Sequence, residues 1–283
     1  MRSWLFVPGH RQRMIEKAFG LSTDVVIFDL EDGVPGGGKD VARRQVAAAL
    51  VSAPTGANAF VRVHAAGSPE VHADLRALEG APLRGLVLPK VQRPKDVLEF
   101  HGWLDGHEKS VGLPSGAVRL LATVESAGGL VHAPAIASAT PRLTGLMFGA
   151  EDFALDMGLF SHPGEGLFDY ARSALAVAAA SGGIRAIDKV FTDIRDLDGL
   201  ALEARRARDL GFAGKAVIHP DQVGGVNEIF SPTGDEVKRA RRILTAHERR
   251  ADGGAEAVDG RMVDRPVLEQ AQMILYRHGE GRA

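Results

Sequence analysis

The stretch "DVVIFDLED", Asp24 to Asp32, sets four apolar residues in unbroken succession, Val25 to Phe28, and then ends on Asp29, Glu31 and Asp32. A strand with one face in water alternates apolar and polar residues. A continuous run of β-branched and aromatic residues is instead expected of a strand covered on both faces, as in a parallel sheet. The acids mark its C-terminal end, so the stretch raises both a fold and a site.

The same construction recurs through the first 220 positions. Short apolar runs appear in "SWLFVPG" (Ser3–Gly9), "AFVRVH" (Ala59–His64), "RGLVLPK" (Arg84–Lys90) and "RLLATVES" (Arg119–Ser126). They continue in "LTGLMFG" (Leu143–Gly149), "IRAIDKV" (Ile184–Val190) and "KAVIHP" (Lys215–Pro220). Between them lie segments of helical length such as "DVARRQVAAALVSA", "GLFDYARSALAVAAAS" and "LDGLALEARRARDLG". Eight strands alternating with helices predict a TIM (β/α)8 barrel, with a doubly wound open sheet as the alternative. Almost every run carries polar residues at its C-terminal end: Pro8-Gly9-His10, Arg62 and His64, Lys90, Glu125, Glu151 and Asp152, His219. In parallel α/β folds those ends converge on one face, and that face holds the site.

After Pro220 the pattern changes. "GDEVKRARRILTAHERRA" reads as a basic helix, and "GGAEAVDGRMVDRPVLEQAQMILYRHG" as two short strands turned at Asp259-Gly260 before a helix starting near Asp264. Residues 1–227 are therefore expected to form the barrel and 228–283 a C-terminal helical and hairpin extension. The glycine triplet Gly36-Gly37-Gly38 reads as a flexible loop.

The 283 residues are 45% hydrophobic and 25% charged, a globular composition. A formal net charge of −2 gives no reason to expect nucleic acid or a membrane surface as partner. With no cysteine, disulfide and thiolate chemistry are excluded, and any metal must be held by oxygen or imidazole. The apolar start of "MRSWLFVPGHRQR" is too short for a signal peptide, and nowhere do about eighteen apolar residues run together. A soluble, cytoplasmic protein is the expectation.

Several residues could carry chemistry. Glu125 and Asp152 end neighbouring runs, so two carboxylates could share a cation; with open positions and hard oxygen ligands that suits Mg²⁺. The competing reading makes Asp152 the cap of a helix beginning at Phe153 and Glu151 a favourable first-turn acid. Arg62, flanked by Val61 and Val63, needs an anion: Glu31 or Asp32 in an internal ion pair, a substrate carboxylate, or both. Lys90 admits the same two readings. Pro8-Gly9 precedes a helix near Arg11, where Arg11, Arg13 and Lys17 could bind phosphate or simply form a solvated basic face. Asp264, before Arg265-Pro266, reads as an N-cap, and His219 as a hydrogen-bonded wall residue.

Assembled, the motifs "LFVPG", "FDLEDGV" with "KDVAR", "VRV", "LPKV", "TVESAGGL", "FGAEDF", "VIHP" and "GRMVDRPVLEQAQ" resemble the citrate lyase beta-subunit family. It sits within the HpcH/HpaI aldolase and citrate lyase superfamily, beside malyl-CoA and citramalyl-CoA lyases. The likeness runs from near Arg2 to about Gln272. It implies a TIM barrel, assembled as a homotrimer or dimer of trimers, with the extension as a lid on a neighbouring subunit. It implies Glu125 and Asp152 as Mg²⁺ ligands, with Arg62, Glu125, Lys90 and the Gly149 and Ala150 amides around a keto-acid. Pro8, Gly9 and Arg13 would contact a CoA thioester. Asp264 would be the catalytic acid/base reaching a neighbour's site, a role that replaces the capping one by resemblance alone. Two departures stand out: His64 follows "VRV" where the family usually has Asn, and Pro35 with three glycines follows "EDGV".

The activity implied is Mg²⁺-dependent, reversible cleavage of a 3-hydroxy-acyl thioester of citramalyl-, malyl- or citryl- type to a keto acid and an acetyl thioester. The alternatives are a malyl-CoA thioesterase or malate-synthase-like reaction, a CoA-free aldolase, and a subunit active only beside citrate lyase partner subunits.

Overall fold

In a computed structural model of the protein, the described residues are 1–159, 165–248 and 256–279. Eight parallel strands close into one barrel: β1 (Ser3–Pro8), β2 (Val25–Asp29), β3 (Ala59–Arg62), β4 (Gly85–Leu88), β5 (Arg119–Val124), β6 (Leu143–Phe148), β7 (Arg185–Asp188) and β8 (Gly214–Val217). Closure is made by β1 pairing with β8, with Leu5 opposite Val217, so an open doubly wound sheet is ruled out. The unbroken apolar runs have their reason here. All five residues of β2 are buried, one face against the barrel interior and the other beneath the helical ring.

Inside the barrel Trp4, Ile27, Phe60, Val87, Leu121, Met147, Ile187 and Ala216 form one apolar cluster. Strand side chains alternate faces, so the next inward position lies two residues on. Above Ile27 that position is Asp29, above Phe60 it is Arg62, and above Leu121 come Thr123 and Glu125. The interior thus turns from oil to charge as the strands rise toward their C-terminal ends.

The helices that follow the strands start with definable caps. Ser126 accepts from the Gly129 amide (3.0 Å) at the start of Ala127–Ala137, and Asp196 accepts from Gly199 (2.8 Å) at the start of Leu197–Asp209. The glycine triplet departs from expectation. Gly36–Gly38 is a single 3₁₀ turn closed by the Gly38 amide on the Pro35 carbonyl (2.8 Å), leading directly into the helix Lys39–Val51.

The chain divides into two compact units, Met1–Asn227 and Glu228–Ala283. The second contains the helix Gly234–Glu248, an antiparallel hairpin of β9 (Glu256–Val258) and β10 (Arg261–Val263), and the helix Arg265–Arg277. Asp259 and Gly260 both take positive φ, 53° and 74°, as a two-residue hairpin turn requires. Its own core gathers Ala240, Ile243, Val263 and Ala271. The ends of the two sequence stretches at positions 249–255 lie outside the described residues. Among the described residues no helix is long and apolar enough to cross a membrane.

Candidate active site

At the C-terminal ends of the strands a cavity of about 280 Å³ is lined by Phe6, Asp29, Arg62, Thr123, Glu125 and Asp152, among others. The expectation that the polar strand ends converge on one face is met for β2, β3, β5 and β6.

Arg62 is gripped by Asp29 through two parallel hydrogen bonds, Nε to Oδ1 at 2.7 Å and Nη2 to Oδ2 at 2.6 Å, while Nη1 lies 3.4 Å from Glu31 Oε2. Its guanidinium also sits over the Phe6 ring, 4.9 Å from the centroid. The sequence offered Glu31 or Asp32 as partners; the bidentate one is Asp29, because Asp29 and Arg62 stand in register on adjacent strands. Asp32 pairs with Lys90 instead. Burial alone would raise the Asp29 carboxyl. The Arg62 hydrogen bonds and charge, with the amides of Glu31 and Gly33, overcome that and hold it below the ordinary carboxylate range.

Glu125 is the perturbed group of the site. Its carboxyl is 6% exposed and is pushed up to about 8, chiefly by burial and then by the negative charges of Asp152 and Glu31. The Lys90 amide (2.6 Å to Oε1) and the Arg62 charge act in the opposite direction without prevailing. Gly149 is shaped around this side chain: a Cβ there would fall 2.4 Å from Glu125 Oε2 and 2.6 Å from its Cβ.

Lys90 takes a left-handed backbone, φ 55°, which aims its amide at Glu125. Its ammonium is engaged by Glu31 (2.7 Å) and Asp32 (3.3 Å), and the residue does not line the cavity. Of its two readings, the internal ion pair is the one the geometry supports.

Asp152 does not cap its helix. The helix runs Ala150–Asp156 with Gly149 at the N-cap, which puts Asp152 in its first turn and leaves its carboxylate on the cavity wall. The Gly149 amide donates to the Val124 carbonyl (3.1 Å), so of the two amides expected around a ligand only that of Ala150 is free of the sheet. Asp156, at the end of the same helix, accepts from the Ala127 amide (2.8 Å), fastening the segment that follows Glu125.

Two lining residues were missed from sequence. Phe6 stacks on Arg62, and Thr123 carries a buried hydroxyl with no partner among the described residues. Both follow from the two-residue period, counting down from Pro8 and from Glu125. Pro8 lines the cavity, whereas Gly9 and Arg13 do not; Gly9 donates to the Asp29 carbonyl (2.9 Å) and Arg13 is exposed on the helix Gln12–Ala18. His64 is turned to Asp74, Nδ1 to Oδ2 at 2.6 Å, outside the cavity lining. His219 sits beside Asp221, which donates its amide to Nδ1 (3.3 Å). In the second unit Asp264 is the N-cap of its helix, accepting from the Val267 amide (3.4 Å).

No cluster of three or more His, Asp or Glu side chains shaped for a metal occurs among the described residues. Glu125 and Asp152 nevertheless fit a hard divalent cation: the charge of one raises the proton affinity of the other, and a cation between them would relieve that repulsion. Mg²⁺ takes one or two carboxylates and completes its shell with water or substrate oxygen.

The model of the HpcH/HpaI aldolase/citrate lyase family matches residues 2–220. The citrate lyase subunit beta of Leuconostoc mesenteroides subsp. cremoris is 35% identical over 97% of this chain and 92% of its own length. The mitochondrial citramalyl-CoA lyase of Rattus norvegicus is 34% identical over 97% and 85%. The (3S)-malyl-CoA thioesterase of Cereibacter sphaeroides is 35% identical over 98% and 94%. Among solved structures, CitE of Mycobacterium tuberculosis in complex with magnesium, acetoacetate and coenzyme A superposes with a TM-score of 0.81 at 35% identity, covering 99% of this chain and 98% of that one.

Proposed function

The chain belongs to the HpcH/HpaI aldolase/citrate lyase family, and on that premise we propose that it reversibly cleaves a 3-hydroxy-acyl-CoA, of citramalyl, malyl or citryl type, to a keto acid and acetyl-CoA. The observation that carries the reading is the pairing of opposites around one cavity: a crowded Glu125–Asp152 wall that calls for a cation, facing an arginine that calls for an anion. A hydroxy-acid chelated to Mg²⁺ presents both.

Arg62 is held by Asp29 on one edge of its guanidinium, with Glu31 3.4 Å from Nη1, and its remaining N–H groups are proposed to take the substrate carboxylate. Thr123 offers its unpartnered hydroxyl to the same ligand. Glu125 and Asp152 are the proposed Mg²⁺ ligands; bound there, the ion supplies Lewis-acid stabilisation of charge on the substrate's hydroxyl oxygen as the carbon–carbon bond breaks. Ala150 opens its helix with an amide that has no intrahelical acceptor, a donor for an oxygen of the substrate. The leaving acetyl-thioester enolate needs a proton, and Asp264 of a neighbouring subunit is its proposed carrier; in the condensing direction the same carboxylate removes it. Pro8, Gly9 and Arg13 are proposed for the CoA moiety. The working form is proposed to be a cytoplasmic homotrimer.

The test is a panel of citramalyl-, malyl- and citryl-CoA with Mg²⁺, following keto acid and acetyl-CoA separately. Stoichiometric release of both supports the lyase. Free thiol with no keto acid would replace it with the thioesterase reading, which the Cereibacter relative favours. Inertness on every CoA substrate, reversed by citrate lyase partner subunits, would point to a subunit of that complex, as the Leuconostoc relative is named.

A further inference from the structure

The opposite end of the barrel holds a larger cavity, about 770 Å³, at the N-terminal ends of β1, β3, β5, β6 and β7. Its floor is the apolar bottom of the barrel interior, where Trp4 and Phe60 meet edge to face with centroids 5.3 Å apart. Leu143 continues that floor. Its polar wall is Arg119 and Arg185, the first residues of β5 and β7, each exposed and neither with an acidic partner among the described residues. Arg119 makes one long contact, to the Pro141 carbonyl at 3.4 Å.

The Trp4 side chain lines this cavity while 2% exposed, and its indole N–H has no acceptor among the described residues. Buried donors of this kind are rarely left without a partner, whether protein, water or ligand. No hydroxyl or carbonyl among the described residues accepts from the Trp4 indole. The ends of the helices Ala127–Ala137 and Glu165–Ser181 bring partial negative charge to the rim, about half a charge each at most, against two whole guanidinium charges. The balance favours an anion.

We propose that this cavity is a second ligand site, for a carboxylate with a compact apolar body. The body rests on Trp4 and Phe60, and the carboxylate is held by Arg119 and Arg185. The inference is independent of the reaction at the other end of the barrel.

Benzoate is the probe. The chain has two tryptophans, Trp4 and Trp103, so Trp103→Phe leaves Trp4 as the sole indole reporter. Titration of the Mg²⁺-supplied Trp103→Phe protein with benzoate should give a saturable change in Trp4 emission, absent with the neutral benzamide. Adding Arg119→Gln and Arg185→Gln, both at exposed positions, should weaken benzoate at least about tenfold while the melting temperature holds. Should Trp4 fail to respond, should benzamide match benzoate, or should the double arginine variant bind as tightly as its parent, the site is refuted. Inorganic phosphate binding in place of benzoate would refute the apolar-body requirement and with it the proposal.

Discussion

Asp29 and Arg62 occupy the same rung of neighbouring strands and close a two-bond ion pair, 2.7 and 2.6 Å, inside the barrel wall. The pair fixes a buried cation at the height of the cavity that Arg62 lines. Removing one partner of such a pair strands the other. Asp29→Asn is therefore expected to cost about 3 kcal/mol in urea unfolding and to raise the KM for the acyl substrate. Unchanged stability would show that the pair is not what holds Arg62.

Glu125 gives a sign that metal should reverse. Its folded-state pKa, about 8, lies above the 4.5 of an ordinary glutamate, so the folded protein binds the extra proton between those limits. Metal-free protein should lose stability as pH rises from about 4.5 to 8, by up to a few kcal/mol, and Glu125→Gln should flatten the curve. Added Mg²⁺ should stabilise the wild type at pH 8 and leave the variant unmoved. Thermal melts across pH, with and without Mg²⁺, check both. A wild-type curve parallel to that of Glu125→Gln would remove Glu125 from the site.

Gly149 tests the packing beneath the carboxylate. An added methyl would meet both Oε2 and Cβ of Glu125, so Gly149→Ala should weaken the Mg²⁺ requirement curve by about tenfold or more. Gly36→Ala, facing open space, is the control and should change stability by no more than about 0.5 kcal/mol. Equal effects of the two would mean that the fit around Glu125 has no bearing on the metal.

Far from the cavity, Glu108 accepts from Arg142 (2.6 and 2.8 Å) and from the amides of Gly116 and Val118, fastening the entry to β5 and so the strand that presents Glu125. Those bonds, led by Arg142, lower its pKa from 4.5 to about 2. The stability it contributes is whole above about 4.5 and is lost as pH falls toward 2. Glu108→Gln should lower stability at pH 7 by about 2 kcal/mol and blunt that acid-side loss, measured by denaturant unfolding at both ends.

The proposed delivery of Asp264 from a neighbour can be tested in mixtures. Asp264→Asn and Glu125→Gln should each be inactive alone. Denatured together and refolded, they should regain a fraction of wild-type turnover, because some sites then combine an intact barrel with an intact Asp264. Persistent inactivity of a mixture shown by mass to contain mixed oligomers would place Asp264 outside the neighbouring site.

Much of this was written in local pattern. Continuous apolar runs such as Val25–Phe28 declare strands covered on both faces, and their alternation with amphipathic helices declares a βα repeat, because burial and period are properties of short segments. The polar strand ends declare a site face for the same reason, and family membership followed from ordered motifs. What the chain alone could not fix was which charge meets which. Arg62 lay open to Glu31, Asp32 or a ligand until the register of β2 on β3 put Asp29 opposite it. The two readings of Asp152, helix cap or cavity acid, were separated by the helix beginning at Ala150, three residues before the start that would have made it a cap. Lys90 became an ion-pair partner because a left-handed backbone directs its amide to Glu125 and its ammonium to Glu31. The second cavity was invisible in sequence, for Trp4, Arg119 and Arg185 are distant along the chain and meet only when the barrel closes. Segment-scale hydrophobicity sets the elements; side-chain pairing across strands, which depends on register and closure, exists only in three dimensions.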